Sequence, residues 1–389
     1  MTHSTLIFGN GPCAQSAAQY LLEQGRPVIL ATREAELRVQ RPDFAAGGGE
    51  LEWLGGVRLN ACQRDKAECL SLEFLQAKEK IRREVQEIII AEETASKPCF
   101  ERYSLTPGEG LMTIGEVWDR LGVESDNRLP WRDGDGVLLL NGVNRESHPL
   151  ITRRVLEAAL KLQGDHGIQT YLLTRNLKVA AAGLERLVHQ ARQAGVLIIK
   201  ISVEMPALVQ SAEGGLQLTL LDEITGESYT LALRGAVVDE ALQPAPYLAE
   251  LGAVLELESD PDGFLQAENV HRLTCGSNRP AIRVAGPARG ILSLEAQMAD
   301  GRIAAAAAIG LEDRDPYPQV GLAEVVQGRC IRCLTCYRLC PYRAIALNAQ
   351  ERLFVRAAEC RKCGICAAEC PRGAITLAGL KPGEMARAL

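Results

Sequence analysis

Aromatic side chains are scarce in this chain: Phe, Trp and Tyr together make up 4% of its 389 residues. Its Lys and Arg excess is confined to one short C-terminal segment, and the two facts together disfavour a nucleic-acid partner. Long hydrophobic runs are missing as well. The longest small apolar run, Ile303 to Ile309, is far too short to cross a bilayer, so no direct membrane insertion is expected and membrane contact would come through other proteins of a complex. No basic stretch leads into an apolar one at the start, where the strand-like Leu6-Ile7-Phe8 begins almost at once. A cytoplasmic, reducing setting is the expectation. Histidine is limited to five residues, and no acid, base or nucleophile for substrate chemistry stands out.

Cysteine, in contrast, is plentiful and ordered. Cys330, Cys333, Cys336 and Cys340-Pro341 are followed by Cys360, Cys363, Cys366 and Cys370-Pro371, an offset of 30 residues at all four positions. Ala344-Ile345-Ala346-Leu347 returns as Ala374-Ile375-Thr376-Leu377, as a duplicated strand in a pseudo-symmetric module would. Three thiolates in seven residues turn inward from one tight loop, and the fourth Cys, followed by Pro, serves the other site. This is the double signature of a two-cluster bacterial ferredoxin. It assigns Cys330, Cys333, Cys336 and Cys370 to one [4Fe-4S] cluster and Cys360, Cys363, Cys366 and Cys340 to a second. Structural zinc favours Cys-x-x-Cys pairs separated by a longer span, and disulfides need an oxidising compartment.

The chain can bury a substantial core, with 47% hydrophobic residues, and its length suits two or three domains. Its formal charge is -6. Residues 328 to 389 nevertheless hold eleven Lys/Arg against four Glu, a formal +7 that leaves -13 for the remainder. Two oxidised clusters return about four negative charges, so part of the basicity balances the metal sites.

Residues 4 to 32 read as strand, turn, helix and strand: Ser4 to Phe8, Gly9-Asn10-Gly11-Pro12-Cys13-Ala14, Gln15 to Gln24 ending at Gly25, and Val28 to Leu30. The turn is a Gly-x-Gly-x-x-Ala fingerprint of a dinucleotide site. Gly9 makes the turn, Gly11 lets the backbone approach a pyrophosphate, and Ala14 lets helix pack on strand. Where an acidic residue normally closes the second strand to hold a ribose, the chain has Thr32, with Glu34 two residues on. Residues 41 to 66, rich in Gly and charge and including Ala45 to Gly49, read as a connection leading into a strand at Gly56 to Cys62, and Cys69 to Ile90 as a hairpin leading into a buried strand, although Ala77 to Glu87 is equally compatible with a helix. Val137 to Leu140, Ile151 to Leu162, Gln169 to Leu173, Ala181 to Ala194 and Val196 to Ile201 form a second alternating β/α unit. Its turn lacks Gly-x-Gly-x-x-Gly, which argues against a nicotinamide dinucleotide there. The expected organisation is a doubly wound, two-lobed α/β body: residues 1-135 with 236-312 as a discontinuous dinucleotide-binding lobe and 136-235 as the second lobe. A linker at 313-327 and an α+β ferredoxin-like domain at 328-389 complete it.

Asp260-Pro-Asp-Gly-Phe264, Ser277-Asn-Arg-Pro280 and Ile282-Arg-Val-Ala-Gly-Pro-Ala-Arg-Gly290 precede an Ala-rich helix from Leu294 to Gly310. Together with the fingerprint and the tail, these segments resemble the HdrA-type flavoprotein of heterodisulfide reductase and the flavoprotein subunits of quinone-interacting membrane-bound oxidoreductase complexes. The resemblance implies a thioredoxin-reductase-like fold with FAD in the first lobe, held by Gly9, Gly11, Ala14, Thr32, Gly286 and Gly290. It also implies a helix at Leu294 aimed at the flavin, and electron exchange with heterodisulfide-reductase-like, hydrogenase-like, acyl-CoA-reductase-like or quinone-reducing subunits. The sequence departs from that family at Glu92-Glu93 and Asp239-Glu240, where small turns are usual, and at Pro287, where an Asp often contacts the ribityl chain. Carboxylates repel a diphosphate, so the lobe is either a flavin site with relaxed contacts or one that has lost its cofactor. Cys13, Cys62, Cys69, Cys99 and Cys275 read as small hydrophobes, although a helix N-terminus would lower the pKa of Cys13. His148 and His271 read as solvated or capping residues.

Overall fold

The computed structural model describes residues 4-35, 48-64, 69-77, 79-122, 129-178, 181-201, 205-210, 215-222, 224-265, 275-310, 321-357 and 359-377. His271 and most of the segments expected as connections, 45-47 and 313-320, lie outside them. The chain folds into two compact units, residues 1-95 with 244-389 and residues 96-243.

The first unit opens with β1 (Thr5–Phe8), α1 (Pro12–Glu23), β2 (Val28–Ala31) and β3 (Leu51–Leu54). Helix α1 begins three residues earlier than the apolar pattern indicates, because Pro12 occupies its first turn and Gly11 its N-cap; a proline there gives up an N–H that has no partner inside the helix. An antiparallel meander follows, β4 (Val57–Arg64), β5 (Leu70–Gln76) and β6 (Glu79–Val85). The ambiguous charged stretch is therefore a strand. Then come β7 (Glu87–Ile90) and β8 (Thr94–Pro98), the latter crossing into the second unit.

That unit contains β9 (Leu111–Thr113), α2 (Ile114–Leu121), β10 (Gly136–Asn141), α3 (Pro149–His166), β11 (Gln169–Thr174), α4 (Leu184–Gln193) and β12 (Leu197–Lys200). It ends with the meander β13 (Ala207–Gln210), β14 (Leu216–Leu221), β15 (Ser228–Leu233), and then β16 (Gly235–Val238) and β17 (Glu240–Pro244). The boundaries lie at 95/96 and 243/244, not at the expected 135/136 and 235/236. The reason is non-local: β9 pairs in parallel with β16, and Ile114 and Val117 of α2 join the second unit's core.

Back in the first unit, α5 (Pro246–Leu255), β18 (Ile282–Val284) and α6 (Leu294–Ile309) complete the body. Its sheet is parallel, in the order β18-β7-β1-β2-β3. Alternation along the strands feeds two cores. Leu6, Phe8, Ile88 and Ile90 face the meander and α5, whereas Ile7 and Ile89 face α1 and α6. The second unit repeats the plan, with parallel order β12-β11-β10-β16-β9. Helices α2 to α4 pack on Leu139, and the β13-β14-β15 meander packs on Leu138 and Leu140. Each sheet thus has helices on one face and a small antiparallel sheet on the other, joined in the first unit by α5.

The tail consists of β19 (Ala323–Val325), the single turn α7 (Thr335–Leu339), β20 (Ile345–Leu347), β21 (Leu353–Val355), the turn α8 (Ile365–Ala368) and β22 (Ile375–Leu377). Antiparallel pairs β19-β22 and β20-β21 obey the 30-residue repeat. Val326 N–H donates to the Ala374 carbonyl, and Arg356 N–H to the Ala344 carbonyl, both at 2.7 Å.

Candidate functional site

The backbone of the two cysteine runs repeats as closely as their sequence. Arg332 and Leu334 take left-handed conformations, φ 57° and 61°, and thirty residues later Lys362 and Gly364 do the same at 55° and 77°. Left-handed residues placed between right-handed ones fold a chain into concavities suited to a metal cluster. Leu334 and Gly364 also start the short helices α7 and α8, which carry Cys336 and Cys366 into the tail core.

Two cavities result. One is lined by Cys330, Cys333, Cys336 and Cys370 together with Val325, Leu353 and Ile375. The other is lined by Cys340, Cys360, Cys363 and Cys366 together with Ile345, Val355 and Leu377. Each run therefore contributes three cysteines to one cavity and its Cys-Pro cysteine to the other. Among the described residues no three Cys, His, Asp or Glu side chains converge tightly enough to hold a single metal ion. Four thiolates on one zinc would sit about 2.3 Å from the ion, whereas these ring a space that suits a polynuclear cluster.

The electrostatics fit the same group. Burial pushes the Cys366 thiol up to about 12, and Cys363, Cys360 and Cys340 add to the shift. Four thiolates can share such a space at low cost only when bound cations balance them. Backbone N–H groups assist: Ala344 donates to Cys340 Sγ at 3.3 Å, and Ala374 to Cys370 Sγ at 3.2 Å. Hydrogen bonds of this kind tune cluster potentials. Cys333 and Cys363 are exposed, so each ligand set reaches the surface.

At the other end of the chain, the fingerprint residues occupy the expected elements but not the expected environment. Gly9 turns the chain at φ 129°, and Ala14 is buried against the α1-α6 packing. Gly11 caps α1 without any side-chain cap of its own. The Glu93 carboxylate lies directly against Gly11, in the space where a side chain at position 11 would stand. Strand register brings it there: Phe8 pairs with Ile90, so the third residue past each strand end meets the other. That space is where a diphosphate would approach the helix N-terminus. A second negative charge about 4 Å away costs about 4 kcal/mol at the effective dielectric of a protein surface.

Two of the remaining expected FAD contacts, Thr32 and Gly286, are also engaged internally. Thr32 is buried, and its hydroxyl donates to the Glu34 carbonyl at 2.7 Å. The Glu34 carboxylate accepts from Asn10 Nδ2 within the glycine turn at 3.2 Å. Gly286 N–H donates to Asp300 Oδ2 at 2.7 Å, and Asp300 also binds Arg289 at 2.5 and 3.0 Å. Gly286 packs on Cys13 Sγ, while no other side chain approaches Gly290. The expected positions therefore do not fit an FAD diphosphate with Glu93 in place.

Cys13 is the buried small side chain expected, but its acidity moves against expectation. Burial pushes its thiol up, and Asp300 adds to the shift, which outweighs the effect of the helix N-terminus. Cys99 and Cys275 are buried, and Cys62 and Cys69 are half-buried. His148 caps α3, accepting from Leu150 N–H at 3.3 Å. Sequence reading missed Asp300; its signal is a lone acid on the buried stripe of an Ala-rich helix.

Residues 329-375 match the family of 4Fe-4S dicluster domains. No curated protein matches the chain. Among solved structures, thioredoxin reductase of Lactococcus lactis is similar at 17% identity and TM-score 0.51, over 79% of this chain and 98% of that one. Thioredoxin reductase of T. acidophilum follows at 15% and 0.52, over 80% and 98%. The HOCl-induced flavoprotein disulfide reductase RclA of Escherichia coli follows at 14% and 0.52, over 84% and 75%. At these identities the likeness is one of fold: a thioredoxin-reductase-like two-lobed α/β body with a ferredoxin-like [4Fe-4S] tail.

Proposed function

We propose that the chain is the electron-transferring iron-sulfur subunit of a multi-subunit oxidoreductase. Cys330, Cys333, Cys336 and Cys370 hold one [4Fe-4S] cluster, and Cys360, Cys363, Cys366 and Cys340 hold the other. The observation that carries this reading is the crossed sharing of cysteines between the two cavities, which is the ligand exchange of two-cluster ferredoxins. Between them the clusters move single electrons, while the protein sets their potentials through N–H donors, burial and the surrounding basic residues.

Partners are part of the proposal. No group for substrate chemistry stands out, so electrons are received and delivered at the surface, where Cys333 and Cys363 are exposed. The basic tail suits an acidic redox protein. The resemblance to the heterodisulfide reductase flavoproteins supports partners of the heterodisulfide-reductase-like, hydrogenase-like, acyl-CoA-reductase-like or quinone-reducing kinds. No helix among the described residues is long and apolar enough to cross a membrane.

The test is to isolate the tagged chain from its native host without oxygen. About eight iron and eight sulfide per chain are expected, with redox subunits co-purifying and their reduction passing to the clusters. Stoichiometric zinc, or full clusters that no co-purifying protein reduces or oxidises, would refute the reading.

A further inference from the structure

Both parallel sheets present the same end to any nucleotide: the turn after the first strand, flanked by the end of a neighbouring parallel strand. In both units that neighbour delivers a carboxylate into the turn. After β7, Glu93 lies against Gly11 at the N-terminus of α1. After β16, Asp239 is 1% exposed and accepts from Gly142 N–H at 2.8 Å, Ser147 Oγ at 2.5 Å and Tyr103 Oη at 2.8 Å. Gly142 immediately follows β10, and the register that pairs Leu139 with Val237 brings Asn141 opposite Asp239. The second turn thus has its anion built in, with three donors satisfied.

The same substitution operates at the motif that follows β18. There the Gly286 N–H is held by Asp300, itself 3% exposed and fixed by Arg289. At Gly142 and Gly286, amides that could hold a ligand's oxygens are bonded to side-chain oxygens of the chain. Carboxylates thus occupy three such positions in the two units, two of them by accepting the amide hydrogen bond and Glu93 by filling the space beside Gly11.

We propose that Glu93 stands in for the diphosphate at the α1 N-terminus, with Asp239 as its counterpart in the second unit, so that this chain keeps the two-lobed reductase fold while excluding dinucleotides. Electrons then enter and leave through the clusters alone. The inference deepens the electron-transfer reading, but its readout is flavin, and that of the clusters is iron, so either can fail without the other.

The experiment uses the full chain with its clusters intact. FAD is added to the parent, to Glu93→Gly and to Glu93→Gln, and bound flavin is measured by equilibrium dialysis, while far-UV circular dichroism and a cooperative thermal transition report that the body is folded and iron content that the clusters are intact. The parent should hold no FAD, and NADH or NADPH should not bleach its clusters. Removing the carboxylate should raise FAD affinity at least about tenfold, more for Glu93→Gly, which also clears the space. One FAD per parent chain would overturn the proposal. So would parent and both variants binding equally weakly, since the carboxylate would then not be what excludes the cofactor.

Discussion

The sulfur of Cys340 accepts a hydrogen bond from the backbone N–H of Ala344 at 3.3 Å, yet the cavity it lines belongs to Cys360, Cys363 and Cys366. Cys340→Ser should therefore remove the second cluster and spare the first. Iron should fall from about eight to about four per chain, and the surviving spectrum should match that of Cys360→Ser. Cys330→Ser and Cys370→Ser should give the other spectrum. If Cys340→Ser instead matched Cys330→Ser, the ligands would be grouped by run and the crossed arrangement would be wrong.

Iron removal tests how the tail is held together. Its core consists of short strands and small residues around Cys336 and Cys366, and a module of this size has little apolar area to bury. Cluster binding is therefore folding free energy. Chelation under mild oxidation should leave amides of residues 321-377 exchanging freely while β1, β7, β10 and β16 stay protected. Retained protection throughout an iron-free tail would refute this.

Arg289 and Asp300 form an ion pair at 2.5 Å, with the Asp side chain 4% exposed. Arg289→Met leaves that carboxylate buried with the Gly286 N–H and the weak Cys275 contact. Removing one member of a buried pair costs about 3 kcal/mol. Thermal unfolding of the body should move down by several degrees while the cluster spectrum is unchanged. A shift smaller than that of an exposed control such as Arg82→Met would show the pair to be dispensable.

What could be read from sequence followed how local its cause was. The cysteine repeat was legible because ferredoxin spacing is a local geometric code. Strands β1, β2, β7, β10, β11 and β12 followed from short apolar runs bounded by turns, whereas β3 (Leu51–Leu54) fell in the stretch read as a connection and β6 in the stretch left open between strand and helix. The unit boundary was not legible, since β9 joins a strand more than a hundred residues away. The acids after β7 and β16 were visible as departures from a flavin site, but not their direction. Glu93 reaches Gly11 only through the β1-β7 register, and Asp300 reaches Gly286 only through the packing of α6. Cys13 is buried as the sequence indicated, but the direction of its acidity was missed for the same reason: sequence showed the helix start above it, and the structure adds Gly286 pressed on its sulfur.

The tail's charge gives the last prediction. Its formal +7 falls to about +3 once two clusters are counted. Arg338 is exposed, Lys362 is half-buried, and both lie within two residues of cluster ligands. A basic surface beside exposed Cys333 and Cys363 should speed encounter with an acidic partner, and an attraction of that kind weakens as salt shortens the Debye length. Arg338→Glu with Lys362→Glu should slow electron transfer from the native partner at low salt by about tenfold, and the difference should shrink as salt rises. Iron content and cluster spectra should be unchanged, which separates docking from assembly. Equal rates and equal salt slopes in parent and variant, with both clusters intact, would show that partners meet this chain elsewhere.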